Sequence, residues 1–513
     1  MASDSSVTES IGSFLKRLAM LCWLAWLAAG LFLIFLAAPL LTMFVLIAIA
    51  ARASEKRRQS SGSHGTAEWA DVDHLRRTGC LSSRGGVRLG NIVQVNPTGT
   101  MSGLRALLTL PLSRSGDAVA MASSRRGRHR PIPVYLPDNH PHVGIFGSSG
   151  GGKTTCYAIP TLFGCSDNMF VLDVKGELAR LSARYRHAEF GHQIVIIDPY
   201  QIATGCGFRP ARFNPLDLYR GDEHRIVDEA RRMAGALVVT TGHEHDPFWP
   251  QYARTILTAT LAFLMANARC ESSLNHLRDI ISNPRLMNDM IQYMLKSEAC
   301  GGLLSRLAGQ LLQCQGQTKS SAYSVANSHI DFLDSLSLAE CLSESTFDPH
   351  MLINGRMTVY VCLPVDRMTE LAGIQRILLS CFINLAFGAG ESSTRRIRYL
   401  LDESATLGKL DALYNALQFG RSFGVRLKFL FQSTSQVERC FPESQRDDFF
   451  ATVASVYCST NDYRSAKDIS DYLGQQTIYS RSEQTSQNWG GGQNYGMHEQ
   501  STSTNWGGSR SIT

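Results

Sequence analysis

Apolar residues recur along this chain in several distinct rhythms, and each predicts a different kind of element. From Leu18 to Ala51 they run on without interruption, 34 residues with no charge and with Thr42 as the sole hydroxyl. Coiled as one helix, this run would reach ~51 Å against a hydrocarbon core of ~30 Å. Either one long helix tilts and kinks at Pro39, or the run folds back as a hairpin around Gly30–Pro39 with arms of about 17 residues, at the short edge of the spanning range. Lys16 and Arg17 precede the run, and Arg52, Lys56, Arg57 and Arg58 follow it. A hairpin keeps both basic flanks in the cytoplasm, as the positive-inside rule prefers, and is the expected arrangement. Ala48-Ile49-Ala50 resembles a signal-peptide cleavage site, but the run far exceeds the ~7–15 apolar residues of a leader.

Short continuous apolar runs come next. Val134–Leu136 and His142–Phe146 read as strands, as does the end of 64–90 after a short helix and a glycine turn. Met169–Asp173 and, after its opening glutamine, Gln193–Asp198 are continuous apolar runs that close on Asp, as strands of a parallel sheet buried on both faces do. Helical spacing separates them, so the stretch is βαβ in character. From about Arg220 to Leu342 the period turns wholly helical. Trp249, Ala253, Ile256, Leu257, Leu261 and Leu264 fall three and four apart behind an Asp246-Pro247 cap, and Leu274–Ile281, Asn288–Lys296, Leu303–Cys314 and Ala322–Leu333 repeat the pattern. Strand patterns return at Met357–Cys362, Arg398–Leu401, Val425–Phe431 and Val453–Cys458. The fold class is therefore α/β with an inserted all-α domain. Residues 480–513, rich in Ser, Gln, Gly and Asn, read as a disordered tail.

Charge sharpens this picture. The chain carries a formal +6. Residues 52–130 alone hold fourteen Lys/Arg against five Asp/Glu, which suits anionic headgroups beside a bilayer and leaves the larger C-terminal part slightly acidic. A uniformly basic nucleic-acid coat is thereby excluded. Thirteen cysteines without a CxxC pair read as small apolar residues in a reducing compartment. His243-Glu244-His245-Asp246 lacks further ligands at metal-binding spacing and reads as a polar loop.

One motif carries definite chemistry. Gly147-Ser148-Ser149-Gly150-Gly151-Gly152-Lys153-Thr154 satisfies GxxxxGK[ST], follows an apolar strand and opens a helical run; Thr155 completes the cradle. Glycines let successive N–H groups wrap a phosphate, Lys153 reaches the β/γ-phosphates of ATP, and the Thr154 hydroxyl ligates Mg²⁺. A carboxylate on a neighbouring strand is required, and Arg398-Tyr399-Leu400-Leu401-Asp402-Glu403 supplies two. Asp402 is expected to hold the Mg²⁺ shell and Glu403 to polarise the attacking water. Gln432 closes the next strand, where its amide could sense ATP against ADP. Arg421, at a helix end between them, is either a surface cation or an arginine finger offered to another subunit. Asp173-Val174-Lys175-Gly176-Glu177 is either ligand-side chemistry beside the P-loop or a helix cap.

The expected organisation is a cytoplasmic N-terminus at 1–17, a transmembrane segment at 18–51 and a basic juxtamembrane region at 52–130. A nucleotide-binding domain follows in two parts, 131–219 and 343–479, with the all-α domain at 220–342 between them and the tail at 480–513.

Several stretches together resemble the type IV coupling proteins (TraG/TraD-like) of conjugation and type IV secretion. They are HGTAEWAD at 64–71, HVGIFGSSGGGKTT at 142–155, VLDVKGEL at 171–178, FNPLD at 213–217, DPFWPQYAR at 246–254, LLDESATLGKL at 400–410 and FLFQSTSQ at 429–436. The resemblance implies a RecA-like motor domain, an inner-membrane anchor and an all-α domain facing the cytoplasm. It also implies a homohexameric ring that hydrolyses ATP and delivers substrate to inner-membrane subunits of a type IV secretion channel. The cargo would be a relaxase–DNA complex, with single- or double-stranded DNA, protein effectors, or both. Arg421 falls where such proteins carry a trans-acting arginine. Two departures stand out: no hydrophilic loop interrupts Leu18–Ala51, although the family usually has two spans around a periplasmic loop, and Ser404 stands where a bulkier residue commonly follows the acidic pair. The competing expectations are an FtsK-like double-stranded DNA pump, and a docking receptor in which slow hydrolysis only switches partners.

Overall fold

The computed structural model describes residues 20–28, 70, 72–81, 87–94, 130–136, 140–239, 246–267, 272–313, 316–474, 484–485 and 508–509. The chain divides into two units, residues 70–469 and a second made of 1–69 with 470–513. Most of the expected membrane segment, the basic region, the His243–His245 loop and the tail lie outside the described residues. Residues 20–28 are helical, with Trp23 and Trp26 exposed. Among the described residues no helix is long and apolar enough to cross a membrane.

Two strands, β1 (Val87–Gln94) and β2 (Arg130–Leu136), pair antiparallel ahead of the main sheet. That sheet has seven strands: β3 (Val143–Phe146), β4 (Asn168–Asp173), β5 (Gln193–Ile197), β6 (Met357–Cys362), β7 (Ile397–Leu401), β8 (Val425–Phe431) and β9 (Ala454–Tyr457). Their spatial order is β5-β6-β4-β7-β8-β3-β9, and every pairing is parallel. The continuous apolar runs follow from burial on both faces. On β4, Phe170 and Leu172 enter one core while Met169 and Val171 enter the other, and β3 and β7 alternate likewise.

One face is covered by α1 and α2. Helix α1 begins at Thr154 with a π turn to Ala158 and continues as α through Ile159–Gly164; α2 is Glu177–Phe190. Buried in this face, Arg186 donates to the carbonyls of Leu162, Cys165 and Asp167 and to Thr358 Oγ1, so its charge is spread over oxygen acceptors rather than left bare. The opposite face carries a thick helical layer. Its helices are α3 (Ile226–Leu237), α4 (Phe248–Ala266), α5 (Leu274–Ser282), α6 (Pro284–Leu295), α7 (Leu303–Gln313) and α8 (Gly316–Ser328), all between β5 and β6. After β6 come α9 (Ala372–Gly388), α10 (Asp411–Phe419), α11 (Ser444–Thr452) and α12 (Tyr463–Leu473). The apolar sides of α3 to α8 belong to the same core as this face of the sheet.

Local differences from the sequence reading have local causes. Helix α4 starts at Phe248, with Asp246 Oδ1 accepting from the Phe248 amide at 3.0 Å as the cap signal indicates. Helix α6 starts earlier than expected, at Pro284, because Asn283 caps it through the Arg285 amide. The helix expected at Ala322–Leu333 instead covers Gly316–Ser328; its first turns are polar and carry no apolar signal.

Candidate nucleotide-binding and hydrolysis site

All the chemistry singled out above, except Arg421, gathers at the C-terminal rim of the sheet, where β3, β8, β7 and β4 end side by side. The P-loop leaves β3 with Gly147 N–H donating to Phe431 O of β8 at 3.1 Å, which ties the loop to the strand that carries Gln432. Gly150 and Gly152 have φ of +74° and +85°, conformations that a side chain resists. Gly151 lies so close to Ser459 that an added Cβ would sit 2.0 Å from its Oγ. Lys153 is buried, and its ammonium donates to Gly147 O at 2.5 Å and Ser148 O at 3.3 Å, folded against the loop it serves. Ser149 is exposed, Thr154 opens the π turn of α1, and Thr155 Oγ1 donates to Gly152 O.

The carboxylate strand is not the neighbour of the P-loop strand, contrary to the sequence reading. Strand β8 lies between them, so Gln432 stands between the P-loop and the acidic pair. Gln432 Nε2 donates to both Glu403 oxygens, at 3.2 and 3.1 Å. Glu403 has φ 50° and ψ 48°, a left-handed backbone at a non-glycine residue, the kind of strain that clusters at functional sites. Its carbonyl accepts from the Thr406 amide at 3.0 Å and the Thr406 hydroxyl at 2.9 Å, which holds the turn closed. Asp402 is buried. Burial first, then Glu403 and Asp173, push its carboxyl up to about 7, while Lys175 and Lys153 pull the other way.

That shift makes Asp402 a site of stored instability. The folded carboxyl titrates above the unfolded one, so between pH 4 and 7 the folded state binds more protons, and stability falls as pH rises through that window. Asp402→Asn is expected to raise the melting temperature at pH 8 by a few °C, on the order of 1–2 kcal/mol, and the gain should narrow toward pH 5. Thermal melts at the two pH values check it; a lower melting temperature at pH 8 would contradict the assignment.

Ser459 carried no signal in the sequence, and Ser404 stood out only as a departure from the family pattern. Ser459, just past β9, accepts from Ser148 N–H at 3.2 Å and pairs with Ser148 Oγ at 3.0 Å, so the outermost strand braces the P-loop. Fully buried Ser404 donates to Leu401 O at 2.7 Å and accepts from Leu430 N–H at 3.2 Å, stitching the acidic turn to β8. A bulkier residue would break that stitch, which gives the departure at Ser404 a physical reason. Asp173 stands three strands from β3, and its oxygens accept from the amides of Lys175 and Ala179, the helix-cap arrangement.

Arg421 lies at the opposite, N-terminal end of the strands. It is exposed just before β8 begins, whereas Gln432 follows the end of that strand. Seven strand residues at ~3.3 Å separate the two by roughly 20 Å, beyond the reach of one side chain. Arg421 shares a shallow depression of about 890 Å³ with Phe419, Arg426 and Glu391.

Over residues 68–505 the chain matches the family described as type IV secretory system conjugative DNA transfer. The chain belongs to that family. Among curated relatives, the type IV secretion system-coupling protein VirD4 of Bartonella henselae is 25% identical over 450 residues, covering 85% of this chain and 67% of the relative. The conjugal transfer protein TraG of Rhizobium radiobacter is 25% identical over 360 residues, covering 68% of this chain and 54% of the relative. The chain thus spans about half to two thirds of the length of these two family members. Among solved structures, the plasmid coupling protein TrwB in complex with the GTP analogue GDPNP superposes with a TM-score of 0.51 at 19% identity, covering 67% of this chain and 77% of that one. The TrwB complex with ADP and Mg²⁺ gives 0.51 at 20%, covering 67% and 76%. The likeness to TrwB shows a shared α/β fold built on a parallel sheet, as expected of a RecA-like motor.

Proposed function

We propose that this family member is an ATP-hydrolysing coupling protein, anchored in the inner membrane through 18–51, that delivers DNA–relaxase complexes, protein effectors or both to a type IV secretion channel. The observation that carries the reading is the pairing of Gln432 with Glu403 at the rim beside the P-loop, in a chain of the conjugative DNA transfer family. The residues present fit a magnesium nucleotide. Positive-φ glycines leave the loop amides open, and buried Asp402, crowded by two further acids, gains from a cation beside it. Gly147 to Thr155 would hold the phosphates, and Thr154 and Asp402 would hold Mg²⁺, which supplies charge neutralisation to the triphosphate.

Each side chain then has a defined task. Lys153 exchanges its loop carbonyls for phosphate oxygens. Glu403 orients a water through the oxygens that Gln432 now holds, and Gln432 is placed to respond when that water or the terminal phosphate changes. Arg421 is too far from its own site to act there, which favours service to an adjacent subunit of a homohexameric ring. The domain limits are part of the same proposal, with the helices of 220–342 as the substrate-facing layer and 52–130 as the lipid-facing region. An FtsK-like pump is not favoured, because the family and the coupling-protein relatives point to conjugative transfer.

Lys153→Ala tests the reading. It is expected to abolish nucleotide binding, ATPase activity and cargo transfer while leaving membrane insertion intact. Purified full-length protein and a mating or secretion assay check it, and normal transfer by the variant would end the proposal.

A further inference from the structure

The helical layer and the catalytic turn meet at one side chain that none of the motifs contains. Arg376 lies in the second turn of α9, half-buried, and among the described residues no ion pair involves it. Its guanidinium spans two elements. Nε donates to Ala236 O at 2.5 Å and Nη2 to Leu237 O at 3.4 Å, the last carbonyls of α3, while Nη1 donates to Leu407 O at 3.2 Å. Leu407 ends the turn that begins at Glu403. The preceding residue, Gln375, is buried with its Oε1 3.4 Å from Thr406 Oγ1, sharing that hydroxyl's single proton with the nearer Glu403 carbonyl at 2.9 Å, while the Thr406 amide donates to the same carbonyl at 3.0 Å. Two adjacent residues of α9 therefore grip the glutamate's turn, and one of them also grips the C-terminus of α3.

The charge suits both ends. A helix C-terminus presents unpaired carbonyls and a negative dipole end, which a cation satisfies. Burial alone pulls the Arg376 guanidinium down to about 10, with no carboxylate contribution. An ordinary helix cap would need only the α3 contacts. The third bond, to Leu407, costs desolvation and does nothing for α3. It does matter to Glu403, whose left-handed backbone persists only if its surroundings hold it there.

We propose that Arg376 is a positioning residue that couples the helical layer to hydrolysis, transmitting displacement of α3 through Leu407 to the Glu403 turn. Helix α3 packs against α4 and α9, so cargo that shifts the α3–α4 pair moves the carbonyls this guanidinium holds. The inference rests on the ATPase reading above, and its test separates the two.

The test uses full-length Arg376→Lys, which keeps a cation at the end of α3 but replaces the planar fork that reaches both partners. Steady-state ATPase is measured with and without a single-stranded DNA oligonucleotide, together with binding of a fluorescent ATP analogue and amide exchange across 403–408 and 234–239. The expected result is kcat lowered about tenfold with KM within about twofold, loss of any DNA stimulation, and faster exchange in 403–408. Thr406→Val, which removes the hydroxyl that reaches both Gln375 and the Glu403 carbonyl, should give a similar kcat-specific loss through the turn itself, and Arg376→Gln serves if the lysine variant fails to fold. Unchanged kcat, or faster exchange confined to 234–239, would reduce Arg376 to a helix cap and overturn the proposal. If the native chain shows no ATPase, the hydrolysis reading fails, and amide exchange alone still decides whether Arg376 links the two elements.

Discussion

Glu403→Gln is expected to bind ATP as tightly as the native chain and to hydrolyse it roughly 10²–10³ times more slowly. The substitution keeps the size of the side chain and leaves the P-loop, Asp402 and the strained backbone of the turn untouched. It removes the charge that makes the terminal oxygens basic, and with it the group proposed to polarise the attacking water. In the native site both Glu403 oxygens already accept from the Gln432 amide, so the carboxylate is aimed and held before any water arrives. In the variant two amides face each other and neither can take a proton. Phosphate release at saturating ATP, with a fluorescent-nucleotide titration, separates binding from chemistry. A raised KM with native kcat would assign Glu403 to substrate holding instead.

Arg421→Ala is expected to lower ATPase by about 10³-fold, the range lost when an arginine finger is removed. The geometry adds a more specific expectation. Arg421 is exposed at the end of β8 opposite the rim that carries its own P-loop, so under the proposed function it serves a neighbour's site. Arg421→Ala subunits retain a full nucleotide pocket, and Lys153→Ala subunits retain the finger. Mixed in one assembly, they should recover activity that neither has alone, because some interfaces join a good pocket to a good finger. Activity should also rise faster than linearly with protein concentration below the assembly threshold. Full activity in dilute monomers, or no recovery in verified mixed assemblies, would return Arg421 to the status of a surface cation.

Much of this site is legible in one dimension because its parts are local. The P-loop needs glycines, a lysine and a threonine at fixed spacing, since a single turn of chain wraps the phosphates. Asp402 and Glu403 are visible because the apolar run Tyr399-Leu400-Leu401 ends in two acids, a pattern with few structural uses. Ser459 was not legible, and Ser404 was visible only as a departure without a role, since a serine after a strand is common and its value depends on which amide it meets. Arg376 was hidden for the same reason: a lone arginine near the start of an otherwise apolar helix shows no role until its three carbonyl partners arrive from two distant segments.

What the sequence determined by itself is the set of elements and their chemistry, because strand and helix periods and phosphate-loop spacing arise from interactions within a few residues. The tertiary structure decided the order of the strands. It put β8 between β3 and β7, so that Gln432 rather than a carboxylate adjoins the P-loop. The physical reason is that parallel strands may be joined in many orders by helices of similar length. Only the packing of both sheet faces, summed over the whole core, selects among them.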